Sequence, residues 1–264
     1  MPERWLMMES IPAAAVAPAS PDVTADGHTP ALTAELPPEQ TAGLAEGLTE
    51  AMADIHRRGW CDGTGGNFSC VASQEPLVLL MAPSGVHKGR VGPDELIQVD
   101  RSGDVLAGSG KASAETALHL AIVETCGAGA VLHTHSQAGT LLSQWALEGN
   151  GQLPAETAQA GSLELSGLEM LKGLEGIHTH ATSVRLPVLA NDQDLPRLAA
   201  KARPLLSAAP HGLLIAGHGL YAWGRDLANA HRHLEILEFL LEQRWRQLLL
   251  QALSLHRTRQ NEQA

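Results

Sequence analysis

The run Ala130-Val131-Leu132-His133-Thr134-His135 constrains this chain more than any other segment. Three consecutive apolar residues after Gly127 and Gly129 read as a strand buried on both faces, and its far end turns polar. Successive strand side chains point to opposite faces, so His133 and His135 project on the same side and can both reach one ion. What surrounds this strand must bury it. Upstream, Ser113 is a plausible N-cap, and Leu118, Ala121, Ile122 and Thr125 make the buried stripe of a helix that ends before Gly127. Downstream, Leu213–Ala216 reads as another strand running into Gly217-His218-Gly219, and Ala230, Leu234, Leu237 and Leu241 mark a last helix over about 226–252.

The rest of the chain follows the same alternation. Leu44, Leu48, Ala51 and Ile55 lie on one face of a first helix that breaks at Gly59. The Gly-rich loop 63–67 leads into a strand at 68–71, and Leu77–Met81 gives a second, ended by Pro83. Strands interleaved with helices indicate an α/β or α+β domain, whose strand order periodicity does not give. Residues 1–40 hold seven of the fifteen prolines with neither helical nor strand period, which predicts a mobile extension. The folded domain is expected over 41–252 and a polar tail over 253–264.

Composition excludes several function classes. Lys and Arg total 18 against 29 Asp and Glu, a net charge of −11, so neither nucleic acid nor an anionic membrane is an expected partner. An anionic small molecule would need a local site. Cys61, Cys70 and Cys126 show no CxxC spacing, which fits a reducing cytoplasm and suggests neither a disulfide framework nor a cysteine metal site. No apolar run approaches the roughly 20 residues of a membrane span, and the Ala-rich stretch 11–19 carries two prolines, unlike a secretory signal.

Imidazole is a preferred zinc ligand, and a catalytic zinc takes three protein ligands while keeping a position open. His218 is the best third candidate, because flanking glycines leave its backbone uncrowded at the end of an apolar strand. An HxH pair also occurs as a hydrogen-bonded core pair without metal, and spacing alone leaves both readings open. His178-Thr179-His180 repeats the spacing without an apolar strand before it and reads as a decoy. His56, His87, His119 and His211 are scattered, and His231 and His233 read as surface positions of the last helix.

Five segments in this order resemble the class II aldolase/adducin superfamily: 63–69 (Gly-Thr-Gly-Gly-Asn-Phe-Ser), 83–89 (Pro-Ser-Gly-Val-His-Lys-Gly), 113–119 (Ser-Ala-Glu-Thr-Ala-Leu-His), 133–136 (His-Thr-His-Ser) and 217–219 (Gly-His-Gly). Segments 168–174, 187–194 and 217–224 resemble the dehydratase branch of that superfamily more than its aldolases or epimerases. The resemblance covers roughly 42–250. It implies a three-layer α/β/α sandwich, zinc held by His133, His135 and His218, a homotetramer with sites near subunit interfaces, and a sugar phosphate substrate.

The resemblance also assigns roles. Thr64, Gly65, Gly66 and Asn67, with Ser84, Gly85, Lys111 and Ser113, occupy positions that approach the substrate phosphate in related aldolases, where backbone N–H groups and hydroxyls suit an anion. The aldolase pattern has two serines before its glutamate; Ser113-Ala114 supplies one, and Lys111, His87 or Lys88 are candidates to replace the missing hydroxyl. The dehydratase-like segment places the acid/base at Glu169, while Glu115 matches the aldolases' glutamate. Glu169 is the preferred choice. Aldol cleavage, epimerisation, and a non-catalytic adducin-like interaction domain are the competing readings. The intact histidine set opposes the last.

Overall fold

The computed structural model describes residues 35–149 and 159–262; most of the expected N-terminal extension lies outside the described residues. Helix α1 (Pro38–Arg57) begins three residues before the expected Thr41, with Pro38 in the first turn, where a missing N–H costs nothing. Strands β1 (Asn67–Gln74), β2 (Leu77–Met81), β3 (Ile97–Asp100) and β4 (Val105–Ala107) form an antiparallel meander. Helix α2 (Thr116–Cys126) closes on Gly127 at φ +62°, a left-handed cap that glycine adopts freely. Then come β5 (Ala130–Thr134), α3 (Gln137–Leu147), β6 (Ala160–Ser166), a 3-10 turn over Glu169–Gly173 and β7 (Ser183–Leu189). Helix α4 (Leu195–Leu206), β8 (Gly212–Ile215), β9 (Gly219–Gly224) and α5 (Leu227–Glu262) complete the chain.

One nine-stranded sheet runs β4-β3-β2-β1-β5-β9-β8-β7-β6. Among the described residues every neighbouring pair is antiparallel except β7 with β8. The period of two decides which face each residue serves. Ala130 and Leu132 pack with Leu48 and Met52 of α1, Leu142 of α3 and Leu237 of α5. Val131, between them, packs with Leu118 and Ile122 of α2 and Leu198 and Ala202 of α4. The result is the expected three-layer α/β/α sandwich. His133 shares the α2 face with Val131, and Thr134 shares the α5 face with Leu132.

Four expectations are corrected. Ser113 does not cap α2; its Oγ accepts the Glu115 N–H at 3.2 Å, in the turn that leads into the helix. Thr125 is exposed, because the short helix turns Val123 inward instead. The last helix runs on to Glu262 rather than ending near 252. His233 is a core residue, fully buried, since it faces the end of β9 and donates from Nδ1 to the Trp223 carbonyl at 2.8 Å.

Candidate metal centre

The centre is built where the ends of β5 and β9 meet α2. Pairing of His133 with Tyr221 and of Thr134 with Leu220 brings the β8–β9 turn beside the HxH end of β5. Glycine makes this approach feasible: Gly217, at φ +65°, turns the chain, and a Cβ on Gly219 would stand 1.9 Å from the Thr134 carbonyl oxygen. His218 is thereby carried to the two strand imidazoles. The Nε2 atoms of His133 and His135 lie 2.8 Å apart, and those of His133 and His218 lie 3.3 Å apart.

The His133 tautomer follows from its surroundings. Its Nδ1–H donates to the Leu220 carbonyl at 2.9 Å, so Nε2 presents a lone pair to the cluster. Its ring lies flat on Tyr221, 3.9 Å between centroids and 11° between planes. Burial holds His133 well below the ordinary imidazole range and lowers His135 as well, so both favour the neutral, ligand-competent form. Lone pairs packed this closely repel unless a cation or a shared proton sits among them. The donor set therefore fits a metal ion.

Glu115, the residue immediately before α2, closes the group. Its Oε1 stands 3.0 Å from His218 Nε2 and 3.7 Å from His133 Nε2. Burial opposes ionisation of this carboxyl, but the hydrogen bond from His218 and its electrostatic interaction with the surrounding imidazoles bring it down to about 2. The three histidines and Glu115 each offer a ligand atom within 4.8 Å of the others.

The segments singled out for phosphate converge on the same rim. Gly65 lies against the His135 ring and Gly66 against the His133 backbone: added Cβ atoms would stand 2.9 Å from His135 Nδ1 and 2.8 Å from the His133 carbonyl oxygen. Asn67 pairs with His133 across β1 and β5, and its buried Nδ2 has no hydrogen-bond partner. Ser84 and Lys111 are joined by a 2.9 Å backbone hydrogen bond, and Ser113 touches Glu115. Thr64, Ser84, Gly85 and Lys111 are exposed, open to an incoming anion. Lys88, only a secondary candidate in the sequence, is buried and donates from Nζ to the Thr64 and Val86 carbonyls, both at 3.1 Å, tying the first two loops together.

Glu169 stands apart from this group. It opens the 3-10 turn after β6 with its side chain 69% exposed, paired with Lys172 and 3.5 Å from His180 Nδ1. The decoy His178 and His180 lie in an exposed turn and join no metal-competent group among the described residues. Two residues escaped the sequence reading. Tyr221 is an apolar-strand position by pattern, and only cross-strand pairing puts it under His133. Glu238 falls between Leu234 and Leu241 on the buried stripe of α5, and a carboxylate on an apolar stripe was the available signal.

Comparison with known proteins gives the family. The family model described as class II aldolase and adducin N-terminal domain matches residues 46–245. Curated relatives named methylthioribulose-1-phosphate dehydratase include one from Sorangium cellulosum, 40% identical over 76% of this chain and 91% of its own length. Another, from Methylococcus capsulatus, is 43% identical over 74% of this chain and 89% of its own. Among solved structures, YgbL from Escherichia coli, described as a putative aldolase/epimerase/decarboxylase, aligns at TM-score 0.61 and 26% identity over 77% of this chain and 88% of its own. An L-fuculose 1-phosphate aldolase aligns at TM-score 0.60 and 21% identity over 76% of this chain and 84% of its own, a likeness of fold.

Proposed function

From the premise that this chain belongs to the class II aldolase and adducin family, we propose that it is a lyase removing water from 5-methylthioribulose 1-phosphate. The product would be the 2,3-diketo-5-methylthiopentyl 1-phosphate, with every carbon retained, as a step of methionine salvage in a reducing cytoplasm. The observation that carries the reading is the convergence of three imidazoles and a carboxylate at the rim of the Gly-rich loops, in a chain about 40% identical to dehydratases over most of their length. No helix among the described residues is long and apolar enough to cross a membrane.

In this reading His133, His135 and His218 hold one zinc ion, whose chemistry would be Lewis-acid polarisation of the substrate ketone. The chain's own groups do the rest. Backbone N–H groups of 64–67, the hydroxyls of Ser84 and Ser113, and Lys111 bind the phosphate against the chain's overall negative charge. Lys88 holds the loops that carry them. A base takes the proton from the carbon next to the ketone, and an acid protonates the neighbouring hydroxyl as it leaves. These proton transfers belong to Glu169, with Glu115 as the second carboxylate beside the ligand nitrogens. Glu169 lies outside the cluster of its own protomer, so in this reading it serves an adjacent copy's centre within the homotetramer.

The deciding experiment offers the purified protein methylthioribulose 1-phosphate and fuculose 1-phosphate in parallel. A diketone from the first and no aldehyde from the second is expected. Aldehyde formation from fuculose 1-phosphate, with the methylthio sugar untouched, would replace the dehydratase reading by an aldolase sharing the same imidazoles.

A further inference from the structure

A second group of imidazoles stands at the other end of β8 and β9. His211 immediately precedes β8, and His233 lies in the second turn of α5. Leu220, which anchors His133, and Trp223, which anchors His233, are three residues apart on β9, about 10 Å at the usual strand rise. The two sites are therefore separate.

His233 is fully buried. Because its Nδ1–H donates to the Trp223 carbonyl at 2.8 Å, its Nε2 is an acceptor, and that atom is buried with no partner. A buried acceptor without a donor is costly, and native structures seldom leave one so. The His211 ring stacks on it at 4.1 Å and 21°. His211 is held there by an unusual backbone: it is the one non-glycine among the described residues at positive φ, +58°, fixed by its carbonyl accepting the Trp223 N–H at 3.1 Å. Glu175 completes the group, and its carboxylate and the two imidazoles each place a ligand atom within 4.8 Å of the others.

We propose that Glu175, His211 and His233 form a second metal site, for one divalent ion of the zinc class, which clamps α5 to the β8–β9 end of the sheet. Two neutral imidazoles and a carboxylate are a donor set that such ions favour. Ligands of a tetrahedral site with bonds of about 2.1 Å stand about 3.4 Å apart. A metal bond lies in the plane of an imidazole ring, so ligation asks half-exposed His211 to swing off the stack and exposed Glu175 to turn inward, while buried His233 stays in place. The third metal-competent group, Asp54 with His231 and Glu235, is held by a cation more closely: Arg58 donates to Asp54 at 2.7 Å and to Glu235 at 2.5 Å, whereas Glu175 has the exposed Arg225 guanidinium at 3.7 Å.

The test counts metal per chain after full-length protein is equilibrated with excess Zn2+ and desalted. Wild type should retain two ions, and a His133→Ala/His135→Ala variant one. Adding His211→Ala and Glu175→Gln, both at accessible positions, should take that variant to none. In the otherwise wild-type chain the same two changes should leave one ion and lower the melting temperature in zinc without altering turnover. No metal in the His133→Ala/His135→Ala variant overturns the proposal, and so does an ion retained by the variant that lacks His133, His135, His211 and Glu175 together.

Discussion

The hydroxyl of Thr134, the residue between the two strand imidazoles, donates to the carboxyl of Glu238 on α5. Glu238 is 2% exposed, and burial raises its pKa from 4.5 to about 7 despite hydrogen bonds from Ser136 and Thr134. The segment that carries His133 and His135 is thus held from behind by a carboxyl group that is partly neutral near pH 7.

That relationship makes stability depend on pH with a definite sign. Between pH 4.5 and about 7 the folded chain binds more protons at this site than the unfolded one, so the contribution is complete below 4.5 and is lost as pH rises through about 7. The shift corresponds to on the order of 3 kcal/mol. Glu238→Gln keeps an acceptor for Thr134 and removes the titration. Denaturant unfolding at pH 5 and pH 8 should therefore show the variant gaining on wild type at the higher pH. An identical pH dependence in the two proteins would remove Glu238 from this role.

The metal centre predicts a pattern of zinc retention. His133→Ala, His135→Ala and His218→Ala should each weaken retention of this centre's ion, because each removes one of its three imidazole ligands. His178→Ala and His180→Ala should keep it, both residues lying in an exposed turn. Metal analysis of the purified variants reads this directly; loss confined to the 178 and 180 variants would move the centre there.

The two carboxylates are separated by an exchange experiment. With Glu169 as the proton shuttle, Glu169→Gln should lower kcat by about 10²–10⁴-fold with zinc retained, and Glu115→Gln should be milder. Exchange of the substrate C3 proton in deuterated water should fall with Glu169→Gln, since proton removal precedes loss of the C4 hydroxyl. On the reading that Glu169 serves an adjacent copy's centre, mixing Glu169→Gln chains with His133→Ala chains should restore some activity in mixed oligomers. Normal turnover by Glu169→Gln, with exchange and product lost in Glu115→Gln, would transfer the role to Glu115.

Phosphate binding predicts a KM effect. Ser84 meets Lys111, and Ser113, two residues on, meets Glu115; contacts to a phosphate remote from the reacting carbons should be equal in ground and transition states. A Ser84→Ala/Ser113→Ala variant should raise KM for the phosphorylated sugar and leave kcat near wild type. An unchanged KM would place the phosphate elsewhere.

Much of the architecture was legible because it rests on local periodicity. The stripes Leu48–Ile55 and Leu234–Leu241, and the apolar runs at 77–81 and 130–132, each bury a face that their own spacing defines. Elements with weaker patterns escaped notice. β9 reads Gly-Leu-Tyr-Ala-Trp-Gly, with glycine at both ends and little alternation, and its strand character comes from pairing with β5 and β8. His233 looked like a surface residue because α5 is polar around it; the end of β9 is what buries it.

The sequence by itself determined that His133 and His135 face one way, because a strand's period of two is a property of the covalent backbone and survives any packing. It also determined that the chain can turn sharply on either side of His218, through Gly217 and Gly219. Only the tertiary structure decided that His218, 85 residues beyond His133, reaches the same point, since that distance is closed by β5–β9 pairing. It likewise put Glu115 rather than Glu169 beside the imidazoles of the same chain. Both carboxylates open a helical turn and look alike locally. Their burial is set by which distant strands and helices pack against them, and no local pattern records that.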